Sequence, residues 1–246
     1  MVSGASAGLG EAVALALAGE GVKLALASRN AERLDAVAEQ AKQRGAQDAR
    51  GFHLDLQDSD SIAAMLDGVR ATFGDVDIVV LNGGGPKPGR FSDVTLADWD
   101  AAYQLLLRSM LVLLDALVPA MRAKKWGRVV ALTSSAVKQP IDNLVLSNAF
   151  RTALVAALRT LAVEVGRDGV TVNAIATGRV ETARLRSLYG NDERQLRQAG
   201  DEVPIGHIAS PAEFAPMVAF LCSEPAGYVT GQTIAVDGGL IRGLFG

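Results

Sequence analysis

Short apolar runs and longer amphipathic stretches alternate along the whole chain. The segments at 22–27, 50–56, 77–81, 128–134, 170–175 and 233–236 have strand length. The stretch Asp-Ile-Val-Val-Leu at 77–81 is too apolar to keep one face wet, which marks a strand buried on both sides. Between these runs the apolar positions recur at helical spacing, starting at 12–17 and then over 31–44, 61–73, 95–121 and 147–167, with a last helix opening at Ser210. Start signals support several of them. Asn30 is a natural N-cap for 31–44. Thr95 and Asp98 form a capping box with Asp in place of Glu, and Ser210, Pro211 and Glu213 give a cap, a first-turn proline and a box partner. The segments 82–93 and 135–146 predict loops, and 177–203 is polar and irregular in pattern. Strands separated by helices imply right-handed crossovers and a parallel sheet covered on both faces. The reading is a doubly wound α/β domain spanning 1–246, with no repeat, linker or internal boundary.

Composition narrows the possible functions. A chain of 246 residues with 49% apolar content can bury one large core. A net charge of −3 without a basic block argues against nucleic acid as a partner. Cys222 is the single cysteine, so no intrachain disulfide forms, which suits a reducing, cytoplasmic setting. The most apolar stretch, 105–121, is interrupted by Arg108, Asp115 and Pro119 and reads as too short and too charged to span a bilayer. The chain opens directly into a motif, so no signal peptide is expected. His53 and His207 have no companions at metal-ligand spacing, and no metal site is expected.

That opening motif is Ser3-Gly4-Ala5-Ser6-Ala7-Gly8-Leu9-Gly10, followed by an apolar helix. Glycines at 4, 8 and 10 permit a tight turn and a close backbone approach, and the helix start offers free N–H groups and a positive dipole end to a pyrophosphate. The turn is similar to the Thr-Gly-x-x-x-Gly-x-Gly turn of the short-chain dehydrogenase/reductase family. Further landmarks follow in the family's order: Asp55-Leu56, Leu81-Asn82-Gly83-Gly84, Gly178 after Asn173-Ala-Ile-Ala-Thr, and Val229-Thr-Gly-Gln-Thr-Ile-Ala-Val-Asp-Gly-Gly. The resemblance covers essentially the whole chain and points to a divergent branch similar to 3-oxoacyl-acyl-carrier-protein reductases. It implies a Rossmann-type sheet and a dinucleotide held by Gly4, Ser6, Gly8, Leu9, Gly10, Ser28, Arg29, Asp55, Leu56, Asn82, Gly83, Arg151 and Gly178. An acidic residue after the second strand would select NAD(H). Ser28-Arg29-Asn30 stands there instead, and Arg29 can pair with a 2′-phosphate, so NADP(H) is expected in preference to NAD(H).

The resemblance also exposes a mismatch. The family's proton-donating Tyr position holds Ser147, its Lys position Arg151 and its Asn position Leu106, while Ser134 retains the serine. A phenol with a pKa near ~10 can be tuned by a neighbouring cation; a serine hydroxyl is a far weaker acid, and arginine stays charged. Lys138, four residues beyond Ser134, is the expected replacement donor, with Tyr189 and Tyr103 as alternatives. Ser147 could also simply cap its helix. Substrate choice is expected to lie in 84–94, 135–146 and 178–203. Two functions stay open: an NADP(H)-dependent oxidoreductase acting on a small carbonyl or alcohol with an altered active site, or an inactive dinucleotide-binding sensor or oligomer subunit. Relatives imply a homodimer or homotetramer built on the helices 96–121 and 147–167.

One local feature conflicts with the fold. The family's central first strand has several apolar residues before the glycine turn, and only Met1-Val2-Ser3 stands there. A truncated first strand would leave N–H and C=O groups of both neighbours unpaired. An incomplete start is the simplest explanation, with a partner chain or another segment filling the gap as the alternative, and a form extended by roughly ten residues is expected to be more stable.

Overall fold

In the computed structural model, which describes residues 1–244, strands and helices follow one another as the apolar pattern dictates. The first half runs β1 (Val2–Ser3), α1 (Gly8–Ala18), β2 (Lys23–Ser28), α2 (Ala31–Gln43), β3 (Asp48–His53), α3 (Ser59–Phe73) and β4 (Ile78–Leu81). The second half runs α4 (Leu96–Tyr103), α5 (Ser109–Lys124), β5 (Gly127–Leu132), α6 (Val145–Val165), β6 (Val170–Thr177), α7 (Ala183–Leu188), α8 (Glu193–Asp201), α9 (Pro211–Cys222) and β7 (Thr233–Val236). The seven strands form one sheet in the order β3-β2-β1-β4-β5-β6-β7, with every pair parallel. The chain direction across the sheet reverses between β1 and β4. This is the topological switch point of a Rossmann-type fold, where loops diverge and leave a crevice.

The continuous apolar runs have a direct cause. On β4, Val79 and Leu81 enter one core cluster and Val80 the other; on β5, Val129 and Ala131 take one side and Val130 and Leu132 the other. Helices α3, α5 and α6 cover the first face, and α1, α2 and α9 the second. The predicted caps form as read: Asn30 accepts from Arg33 N, and both the Thr95–Asp98 and the Ser210–Glu213 boxes close.

The first strand is indeed short. Val2 and Ser3 pair with Leu26 and Ala27, and Val2 also pairs with Val80. The Met1 ammonium donates to the Ile78 carbonyl at 2.7 Å, and the Met1 carbonyl accepts from Val80 N. Two residues and a terminal amine thus satisfy part of both neighbouring strand edges. Burial pulls that amine down to about 6.

Three sequence expectations change. The segment 178–203 carries two helices, α7 and α8, capped by Thr182 and Asp192. Helix α6 begins at Val145 with Leu144 as N-cap, so Ser147 is a buried third-position residue and not a cap. Finally, the helix read over 95–121 is present as one continuous helix, Leu96–Lys124, in which a π-helical turn at Gln104–Arg108 joins α4 to α5, and what changes is its apolar length. It is long and apolar enough to cross a membrane, with mean hydropathy 1.6 over 18 residues, where the sequence suggested too short a stretch. Here Met110, Leu113, Leu114, Leu117 and Met121 bury that apolar surface against the sheet.

Candidate active site

At the switch point a cleft of about 1190 Å³ opens along the C-terminal ends of the strands. Its lining unites most of the residues picked from sequence: Gly4, Gly8, Leu9, Ser28, Arg29, Asp55, Leu56, Asn82, Gly83, Ser134, Arg151 and Gly178. Ser6 and Gly10 stand just behind the lining. Ser6 Oγ shares a 2.8 Å hydrogen bond with Ser28 Oγ, which ties the turn to the end of β2. Gly10 lies against the Gly4 carbonyl so tightly that a Cβ would collide with that oxygen, and would also reach Asn82 Nδ2 at 2.8 Å.

The turn is built for close approach from outside. Gly4 and Gly8 have φ of 61° and 58°, a region that side chains disfavour. Asn82 fixes the turn from β4: its Nδ2 donates to the Gly4 carbonyl at 3.3 Å, and its backbone N–H donates to Ser3 Oγ at 2.8 Å. Helix α1 then starts at Gly8 behind Ala7, which has no side chain to cap it. By contrast α2, α3, α4, α7, α8 and α9 all have side-chain caps. The first N–H groups of an α-helix have no internal partner, so α1 presents its free donors to the cleft wall. A pyrophosphate fits this donor set. Thr182 stands over the same turn, since a Cβ on Gly8 would meet its Cγ2 at 3.2 Å. At the end of β6 the Thr177 hydroxyl is buried without a hydrogen-bond partner, although Thr177 lines the cleft. A bound dinucleotide offers polar groups that would satisfy it.

The far end of the cleft gathers Ser134, Ser147 and Arg151. Ser134 follows β5, and its Oγ accepts from Ala136 N at 3.1 Å, which caps a 3₁₀ turn at Ser135–Val137. Ser147 and Arg151 lie one helical turn apart on α6 and so share a face. Arg151 is held by two carbonyls, donating from Nη1 to Leu132 O at 3.0 Å and from Nη2 to Gly84 O at 3.3 Å. Burial, and then the neighbouring Arg184 charge, pull its guanidinium down to about 10. It remains a cation at neutral pH, which makes it a fixed positive charge facing the cleft and not a proton donor.

Lys138, expected to replace the missing acid, closes the 3₁₀ turn as its C-cap and is not among the cleft-lining residues. Tyr103 is likewise outside the lining, its ring set against Phe150. Tyr189 does line the cleft, at the C-terminal end of α7. Leu106 is buried in the π-helical turn, and its neighbour Leu105 contributes to the lining. Sequence reasoning missed Thr182 and Arg184. The only sequence signal for them was Thr182 as a helix cap, hidden in a stretch taken to be irregular.

Known proteins share both the sequence and the fold. Residues 4–241 match the family model described as enoyl-(acyl carrier protein) reductase. The 3-oxoacyl-[acyl-carrier-protein] reductase of Escherichia coli K12 is 32% identical over 240 residues, 98% of this chain and 96% of that protein. The L-sorbose reductase of Gluconobacter frateurii, solved in complex with NADPH and L-sorbose, is 31% identical with a TM-score of 0.92, covering 99% of this chain and 96% of that one. YwfH, an NADPH-dependent reductase involved in bacilysin biosynthesis, gives a TM-score of 0.94 at 26% identity, over 99% and 98% of the two chains. The glycine turn, the strand order and these likenesses agree, and the chain belongs to the short-chain dehydrogenase/reductase family.

Proposed function

We propose that this protein is an NADP(H)-dependent oxidoreductase that interconverts a carbonyl and an alcohol on a small molecule. One observation carries the reading: a single cleft runs from the uncapped start of α1 to Ser134, Ser147 and Arg151. The N–H groups at Gly8, Leu9 and Gly10 would receive the pyrophosphate. Arg29, exposed at the end of β2, would pair with the 2′-phosphate, and Asp55 and Leu56 would flank the adenine. Asn82, Gly83 and Gly178 would border the remaining ribose and ring, with Arg151 beside them. The NADPH named for two structural relatives supports this cofactor. When bound, the cofactor supplies the hydride.

The chain's own groups would act on the carbonyl oxygen. Ser134 and Ser147 offer hydroxyl donors, and Arg151 holds a positive charge where negative charge develops. Preorganised donors and charges of this kind supply much of the rate enhancement of many enzymes. The proton must come from another acid. Tyr189 is the phenol within the cleft lining, and Lys138 is the competing donor. Tyr189→Phe and Lys138→Met, assayed at equal cofactor saturation, decide between them; the true donor loses about 10²–10⁴ in rate.

A second reading is favoured by Ser147 and Arg151 themselves, which replace the family's acid pair: a dinucleotide-binding protein without hydride transfer. Fluorescence titration of NADPH and NADH, followed by a carbonyl panel scored for substrate-dependent NADPH oxidation, separates the two. Tight NADPH binding with turnover supports the enzyme. Binding without turnover on any carbonyl supports the sensor, and a folded protein that binds neither nucleotide overturns both. Arg29→Asp is expected to weaken NADPH at least tenfold. For assembly, the outer faces of the long helices expose Leu96 and Val163, which supports a homodimer or homotetramer testable by light scattering.

A further inference from the structure

The catalytic end of the cleft carries more positive charge than the chemistry above requires. Four arginines line the cleft, Arg29, Arg151, Arg179 and Arg184, against two carboxylates, Asp55 and Asp142. Two of the four are accounted for. Arg29 is exposed at the far mouth. Arg179 pairs with Glu202 at 2.6 Å and also donates to the Ala199 carbonyl.

Arg151 and Arg184 are different. Neither has an acidic partner within ion-pair distance among the described residues, and both are partly buried. They also stand near enough for the Arg184 charge to act on Arg151. Both are moored on the same three residues after β4. Arg151 Nη2 donates to the Gly84 carbonyl, Arg184 Nη2 donates to the Pro86 carbonyl at 2.7 Å, and the Arg184 guanidinium lies over Gly85 where a Cβ would strike it. Partial burial of two like charges without a counter-ion is costly. A fold keeps such a pair where a ligand supplies the missing anion. Arginine carries five N–H donors in a planar fork, and Arg184 uses one on Pro86 O, so donors remain for an oxyanion.

Arg184 sits on α7, within the segment expected from sequence to set substrate choice. The pyrophosphate already has its donors at the start of α1, and Arg151 lies beside Ser147. Arg184 thus lines the same cleft as Ser147 and shares with Arg151 the anchor at 84–86. We propose that the substrate is an oxo acid, a carbonyl compound whose carboxylate is taken by Arg184, with Arg151 lending its charge to the reacting oxygen. A carboxylate matches a single fork, and charge-assisted pairs of this geometry bind firmly and directionally. This inference rests on the reductase reading for the carbonyl, but not for the anion site.

Binding separates the two. Isothermal titration of 2-oxobutanoate, 4-methyl-2-oxopentanoate and 4-oxopentanoate, of their methyl esters and of dihydroxyacetone phosphate would be run with and without saturating NADP⁺. At least one acid is expected to bind tenfold or more tighter than its ester. Arg184→Leu removes that preference, and Arg184→Lys, which keeps the charge but not the fork, restores part of it. Loss of nucleotide binding with a persisting acid preference would sink the reductase reading and leave the anion site standing. Equal binding of acids and esters by the unaltered protein overturns the proposal, whatever the variants do. So does an acid preference that survives Arg184→Leu, or a stronger preference for the phosphate compound. If Arg184→Leu weakens NADP⁺ while acids and esters bind alike, the guanidinium belongs to the cofactor and the proposal fails.

Discussion

The two ends of the cleft are made of different materials. At the α1 end the binding groups are backbone: three glycines, an uncapped helix start and the Asn82 brace from β4. At the α6 end they are side chains, two serines and two arginines from α6, α7 and the loop after β5, with both arginines fixed on carbonyl oxygens and Ser134 Oγ accepting from Ala136 N. Backbone sites tolerate almost no change in the residues that shape them, because a Cβ has nowhere to go. Side-chain sites can be re-equipped while the scaffold stays, which is what the proposed reading of Ser147, Arg151 and Leu106 requires.

Substitutions can break that contrast or sharpen it. The largest effect is expected at Gly10. Gly10→Ala forces a Cβ onto the Gly4 carbonyl, and should cost about 3 kcal/mol together with more than a hundredfold in NADPH affinity. Gly84→Ala, at the other end, meets no atom within 4 Å and should leave the melting temperature nearly unchanged. If both glycines tolerate alanine equally, the contrast collapses. Next comes Arg151→Leu, which removes the fixed charge and should lower turnover by about 10²–10³, with Arg151→Lys recovering part. Because the cation is the active form and its value lies at about 10, turnover should hold up to about pH 9 and fall as pH rises through about 10. The smallest effect is remote from the cleft. Thr95→Ala removes the α4 cap and should cost about 1 kcal/mol, seen in thermal melts with nucleotide affinity unchanged. Its box partner Asp98 is held down to about 2, first by Lys87 and then by Thr95. That contribution is present above the ordinary carboxylate range and is lost as pH falls towards about 2, so the melting difference between Thr95→Ala and the unaltered protein should shrink in acid.

The same contrast explains what the sequence disclosed. Glycine positions, caps and doubly buried strands are local signals, and Gly4, Gly8, Asn30 and Val79–Leu81 could be read directly from residue order. Arg184 could not. It meets Gly85 and Pro86 only because the cleft folds 98 residues of separation into one contact, and no periodicity announces that. Lys138 shows the converse: it closes the 3₁₀ turn that Ser134 caps, yet only Ser134 is in the cleft lining, because nearness in sequence does not decide which surface a side chain joins. Helices α7 and α8 were missed because each is short, although Thr182 and Asp192 were legible caps. The π-helical turn at 104–108 lies inside a run of leucines that an ordinary helix would also favour.

Gly84, Gly85 and Pro86 have a consequence for how the site can diversify. Two charges hang on one tripeptide, so any drift of that loop moves both at once. Selection for a new substrate would be free to alter α7 but would meet resistance at 84–86, where a gain in one contact displaces the other. Gly85 is the sensitive point: any side chain there pushes Arg184 aside while leaving its charge in the protein. On the proposed reading, a single change at Gly85 should therefore retune substrate range more sharply than most substitutions on α7 itself, which makes it the first position to randomise.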